Sequence, residues 1–163
     1  MTHMIGHHAQ AIHMARLAPT HGASSSIQIL AERIINAQQD EIATMERWLR
    51  DRSLPLPEPT DAAHDHGGHG VHRMLMPGML TPEQMGQLNA ARGAEFDRLF
   101  LTFMIQHHEG AVTMVRQLFG SAGAAQEDTI FKFASDVSVD QTTEVARMRR
   151  MLAAMPTETG SVR

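Results

Sequence analysis

Apolar positions recur at helical spacing along most of this chain. After Ser24-Ser25-Ser26, which offer N-cap side chains, Ile27, Leu30, Ile34, Met45 and Leu49 hold one face and predict a helix to about residue 52. An earlier helix is predicted from about residue 2 to 18, stopped by the breakers Pro19 and Gly22. Thr81-Pro82-Glu83 reads as an N-cap followed by Pro at the first helical position, opening a short helix to about residue 91. A third long helix runs from about 94 to 119 and ends at Gly120, and a fourth runs from about 126 to 155 and stops before Pro156. The stretch from 54 to 80 is filled with Pro, Gly and His and reads as a loop. No segment has the alternation or β-branched density of a strand. The expected class is all-α.

The helices repeat. Met4, His7, His8, Ala11 and Met14 match Met104, His107, His108, Ala111 and Met114. Gln38, Glu41, Ile42, Met45 and Leu49 match Gln141, Glu144, Val145, Met148 and Leu152. Two helical hairpins that each bury one face are expected to pair into a four-helix bundle with approximate two-fold symmetry. The 163 residues suffice for a single domain with a real core. Repeat 1 covers about 1–53, the central loop 54–80, repeat 2 about 81–155, and a tail 156–163.

Helical geometry places the chemistry. At roughly 100° per residue, Ala11 and Ala15 fall within about 20° of Met4, with His8 about 40° to one side and His7 about 60° to the other. Both histidines therefore flank the inner stripe. Met104, His107 and His108 repeat the arrangement. Gln38 sits in the middle of the stripe made by Ala31, Ile34, Met45 and Leu49, with Glu41 at its edge; Gln141 and Glu144 do the same in the last helix. A polar side chain at such a position needs a partner, because an unmade buried hydrogen bond costs on the order of 1–3 kcal/mol. The histidines are the available partners.

Two readings follow. In one, the histidines, glutamines and glutamates form a polar network that fixes the bundle's register, in a structural or partner-binding protein without metal. In the other, His7, His8, His107 and His108 ligate an ion together with Met4 and Met104, since residues three or four apart on a helix are neighbours. Gln38, Glu41, Gln141 and Glu144 then orient the rings. Met14 lies about 10 Å along the axis from His7, at 1.5 Å per residue. It and Met114 belong to a second site or to the core. Thioether plus imidazole without thiolate selects copper, Cu(I) above all; zinc stays open at sites of histidine alone. A carboxylate-bridged di-iron site needs Glu-x-x-His, which the chain lacks. Nothing pairs a nucleophile with a base, so binding is favoured over catalysis.

The central loop adds His64, His66, His69 and His72 with Met76 and Met79, a run that either collects ions for the bundle or is a solvated connector. Residue usage narrows the function classes further. There is no Cys, so disulfides and thiolate sites are excluded, which suits an oxidising compartment. A net charge of −4 gives no basic stripe for nucleic acid. No apolar run reaches the roughly 18 residues of a membrane span. Self-association stays open, and no protein partner is named.

These motifs resemble the domain of unknown function 305 family, grouped with the ferritin-like bundles. The likeness rests on Met4 to Met14, Gln38 to Met45, the run Met76-Pro77-Gly78-Met79-Leu80-Thr81, Phe100 to Met114, and Gln141 to Met148. The resemblance implies a helical bundle, usually exported to the periplasm or secreted, with some members binding copper in the bacterial envelope. An export signal is not seen here. Asp97 and Phe100 precede the second motif while nothing precedes Met1, so the first helix is expected to be short of a turn.

Overall fold

A computed structural model describes residues 1–57 and 75–156; His64, His66, His69 and His72 lie outside the described residues. Every regular element among the described residues is helical: α1 (Thr2–Arg16), α2 (Ser25–Arg50), the short α3 (Pro82–Ala90), α4 (Gly93–Gly120) and α5 (Asp128–Ala153). Pro19 cannot continue α1, and the chain turns there through a single 3-10 turn, Ala18–Thr20. Thr81 forms the expected capping box with Gln84, and Pro82 opens α3. The serine cap expected on α2 does not form. Ser24 makes no side-chain cap, and its backbone N–H donates to both carboxylate oxygens of Asp97 at 3.2 Å. A carboxylate at a helix N-terminus is favoured by the exposed N–H groups and the dipole, so Asp97 takes the place of a local cap.

The helices form a bundle of two hairpins, α1 with α2 and α4 with α5, meeting through α1 and α4. The main core contains Met14, Ala15, Leu30, Ile34, Phe96, Phe100, Met104 and Met148, with Leu88 of α3 and Leu80 closing it. Two smaller clusters lie elsewhere: Ile5 with Met45 and Leu49, and Val115 with Ala134 and Val137; Met4 and Phe133 pack against both. Met104 thus shares a cluster with Ala15, and Met4 with Val115. α1 and α4 therefore pass each other antiparallel, and the positions between, residues 7–11 and 107–111, lie at the crossing.

Polar contacts tie the hairpins together at both ends. Near the main core the Gly93 N–H donates to the His21 carbonyl at 2.9 Å, and His21 Nε2 donates to the Asn89 carbonyl at 3.0 Å. At the other end Glu127 accepts from both Arg52 and Trp48 Nε1, and the Arg52 guanidinium lies 4.2 Å over the indole. Among the described residues no helix is long and apolar enough to cross a membrane.

Candidate metal centre

His7 and His8 of α1 and His107 and His108 of α4 are all fully buried. Adjacent residues lie roughly 100° apart on a helix, so only a stripe wide enough to hold both can bury both. Small Ala11 and Ala111, also fully buried, flank them. The His7 and His107 rings pack against each other, centroids 3.9 Å apart, while the adjacent pairs are 6.4 and 6.3 Å apart. Four imidazoles from two helices thus occupy one layer.

Their outward contacts fix their protons. His8 Nε2 meets Glu41 Oε2 at 2.5 Å, and His108 Nε2 meets Glu144 Oε2 at 2.8 Å. His7 Nε2 lies 2.9 Å from the Pro77 carbonyl oxygen. A carbonyl or carboxylate oxygen only accepts, so these three Nε2 atoms carry the hydrogen. The Nδ1 of each ring is buried with no partner, and His107 has neither nitrogen paired. Both amide atoms of Gln38 and Oε1 of Gln141 are likewise buried and unpaired. Glu41 and Glu144 each meet one ring nitrogen, while Gln38 meets none. Burial pushes His7 down to about 4, opposed by its bond to Pro77 and aided by the neighbouring histidines. Burial, then the charges of His7, His108 and His8, push His107 well below the ordinary histidine range. Both rings are neutral at pH 7, the form in which imidazole ligates metals.

Among the described residues no three His, Asp or Glu side chains stand ready-made around an ion. The His7–His107 contact gives the reason. Rings packed against each other at a 36° tilt fill space, whereas rings sharing an ion would turn their nitrogens toward it.

The methionines divide by position. Met104 and Met14 are fully buried in the main core, Met4 is half-buried between the two smaller clusters, and Met114 is half-buried. Met45, read from the sequence as part of the apolar stripe of α2, is fully buried in the same small cluster as Met1 and Met4. Met76 and Met79 are half-buried, and the Met76 methyl lies against Gly6 of α1. His3 and His13 are exposed.

Sequence reasoning missed the Pro77 carbonyl and the contacts that bring it to His7. The Gln10 side chain clasps the backbone of Leu80, accepting from its N–H at 2.8 Å and donating to its carbonyl at 3.1 Å. Gln106 donates to the Gly78 carbonyl at 3.4 Å and accepts from Gln84 at 3.2 Å. A backbone acceptor has no signature in sequence. The available signal was the run Met76-Pro77-Gly78-Met79, whose Pro-Gly pair marks a turn.

Two antiparallel hairpins around a buried histidine layer define a class of helical bundle with a polar centre. The chain belongs to the DUF305 family (domain of unknown function), whose model matches residues 1–152. No curated protein matches it in sequence. Among solved structures it is similar to a DUF305 fragment from Deinococcus radiodurans, with 27% identity, TM-score 0.77, and 94% and 93% of the two chains covered. It is also similar to a DUF305 protein of Streptomyces coelicolor described as a candidate secreted protein, with 25% identity, TM-score 0.75, and coverage of 92% and 87%. A third relative is CopM in its Cu(II)-bound form, with 28% identity, TM-score 0.70, and coverage of 93% and 92%; CopM in the Cu(I)-bound form matches with TM-score 0.67.

Proposed function

We propose that this protein is a non-enzymatic copper-binding bundle that sequesters or delivers the ion, working in the cell envelope or outside the cell. The observation that carries the reading is the set of buried, unpaired ring nitrogens on His7, His8, His107 and His108. Each such atom left unpaired costs on the order of 1–3 kcal/mol, so a layer holding several is suited to a guest that satisfies them together. Three of the rings present Nδ1 with Nε2–H held by an oxygen acceptor, the arrangement in which metal-ligating histidines are oriented. Binding would turn the rings from their mutual packing toward the ion.

Copper is favoured over zinc because thioethers flank the layer: Met104, one turn from His107, and Met4, one turn from His7, while Met14 and Met114 lie further along their helices, outside this donor set. Glu41 and Glu144 orient His8 and His108, and Met76 lies against α1 at Gly6. The internal duplication would supply one pair of adjacent histidines from each half. The copper-bound CopM structures support the choice of ion. The Streptomyces relative and the absence of Cys support the compartment.

The competing reading, a closed polar network without metal, is supported by the His8–Glu41 and His108–Glu144 pairs, but Gln38 does not close it. Titration with Cu(I) under reducing conditions tests the choice. Tight stoichiometric binding is expected, reduced sharply in the protein carrying His107→Ala and His108→Ala; undiminished binding by that variant overturns the copper reading.

A further inference from the structure

The two halves of the imidazole layer are not equivalent, and the turn Met76–Leu80 is what makes them differ. With Met4 set against Met104, Gly6 falls opposite Gln106 and Gln10 opposite Gly110, so a glycine and a glutamine exchange places between the repeats. All four positions face the turn. Gln10 clasps Leu80, Gln106 donates to the Gly78 carbonyl, the Met76 methyl lies 3.7 Å from where a Cβ on Gly6 would stand, and Gly110 lies under Pro77 and Gly78.

The approach at Gly110 is backbone to backbone. A methyl there would collide with the Pro77 carbonyl and stand 2.6 Å from the Gly78 Cα. Gly78 itself holds φ +76°, and a Cβ on it would stand 2.5 Å from the Gln106 carbonyl oxygen and 2.7 Å from the Gly110 Cα. These glycines let the turn sink until Pro77 reaches His7 Nε2 at 2.9 Å. His107, the counterpart of His7, gains no such acceptor, and both its nitrogens stay unpaired.

The geometry points to the Pro77–Leu80 turn as a positioning element of the metal site, with Gly110 and Gln10 as the residues that seat it. It presets His7 with the hydrogen on Nε2 and the lone pair on Nδ1, as Glu41 and Glu144 do for His8 and His108. It leaves His107 free to offer either nitrogen. The inference rests on the copper reading for its purpose, but not for its first test.

That test is nitrogen-15 NMR of the imidazoles in the metal-free full-length protein, followed by Cu(I) competition with a chromogenic chelator. The unaltered protein is expected to show His7 as the Nε2–H tautomer. Gly110→Ala places a better helix former inside α4, so the helix is retained while the turn is lifted. His7 is then expected to become a mixture of tautomers, with His8 and His108 unchanged, and Cu(I) affinity to fall tenfold or more with every ligand present. Gln10→Leu, which releases the same turn from α1, is expected to act in the same direction. Gly6→Ala is the control: its Cβ meets only the flexible end of Met76, and tautomers and affinity should stay within about twofold of the unaltered protein.

A His7 ring found as the Nδ1–H tautomer in the unaltered protein overturns the proposal. So does a Gly110→Ala variant that keeps both the His7 tautomer and the affinity. If the unaltered protein binds no Cu(I), the copper reading fails, and the tautomers of Gly110→Ala still decide whether the turn positions His7.

Discussion

His7 and His107, one from each hairpin, lie ring against ring with their planes 36° apart. Burial disfavours a charge on either ring, so the folded protein holds both neutral. His7 is pushed down to about 4 and His107 well below its ordinary value. The unfolded chain takes up these protons near pH 6.5, so below that pH it binds more protons than the folded state, and stability must fall as pH falls. For His7, the displacement from 6.5 to about 4 amounts to about 3 kcal/mol, present in full above the unfolded value and lost between about pH 6.5 and 4. Thermal unfolding of the metal-free protein in chelator should show a melting temperature that rises from pH 4 to 7 and then levels. A flat profile over that interval would mean that these rings are not buried as described.

The carboxylate partners give a second expectation. Glu41 and Glu144 sit at matched places, each accepting from the Nε2 of the second histidine in its hairpin. Replacing Glu144 by Leu leaves the His108 Nε2–H without an acceptor, and affinity for Cu(I) should drop by about 10- to 100-fold. Glu144→Gln keeps an acceptor oxygen and should recover most of the loss. Glu41→Leu and Glu41→Gln should repeat the pattern at His8. Equal losses for Leu and Gln at both positions would show that charge, and not ring orientation, is what the glutamates supply.

The methionines can be separated into core and ligand by a volume-conserving change. Met104 is fully buried in the main core, where Leu would fill similar space. Such swaps usually cost less than about 1.5 kcal/mol. Met104→Leu should therefore leave the melting temperature within a few degrees and still weaken Cu(I) binding if the thioether is a ligand. Met14→Leu, further along α1 from the histidines and in the same core, should leave Cu(I) binding nearly unchanged. Measured together by denaturation and chelator competition, equal affinities for the two variants would assign both residues to packing.

What was legible in the sequence was whatever depends on helical period. The 100° spacing that put His7 and His8 on either side of Met4 is the spacing that buries both in the structure. Thr81-Pro82 opened α3 as read, because that cap is made by neighbours in the chain. What was not legible was contact across long separations. Ser24 looks like a cap on α2, yet Asp97 of α4 supplies the acceptor for its N–H. Gln38 sits centrally on its stripe as its position implies, but no nearby group reaches it. Met14 and Met114 match in the motif but differ in burial, since only Met14 lies in the core with Phe96, Phe100 and Leu88 of α3. The Pro77 carbonyl reaches His7 across a large part of the chain, through an atom every residue possesses.

Bound copper should also stabilise the fold. A ligand that binds only the folded state stabilises it by RT ln(1 + [L]/Kd), about 2.7 kcal/mol when free ligand stands at 100 times Kd. For a domain of this size each kcal/mol moves the midpoint by about 2–4 °C, so saturating Cu(I) should raise the melting temperature by roughly 5–10 °C. Bathocuproine should reverse the rise. The protein carrying His107→Ala and His108→Ala should melt at the same temperature with or without copper. Should the unaltered protein also ignore copper and chelator alike, the buried imidazoles would serve the register of the bundle, and the His8–Glu41 and His108–Glu144 pairs would be their main contribution.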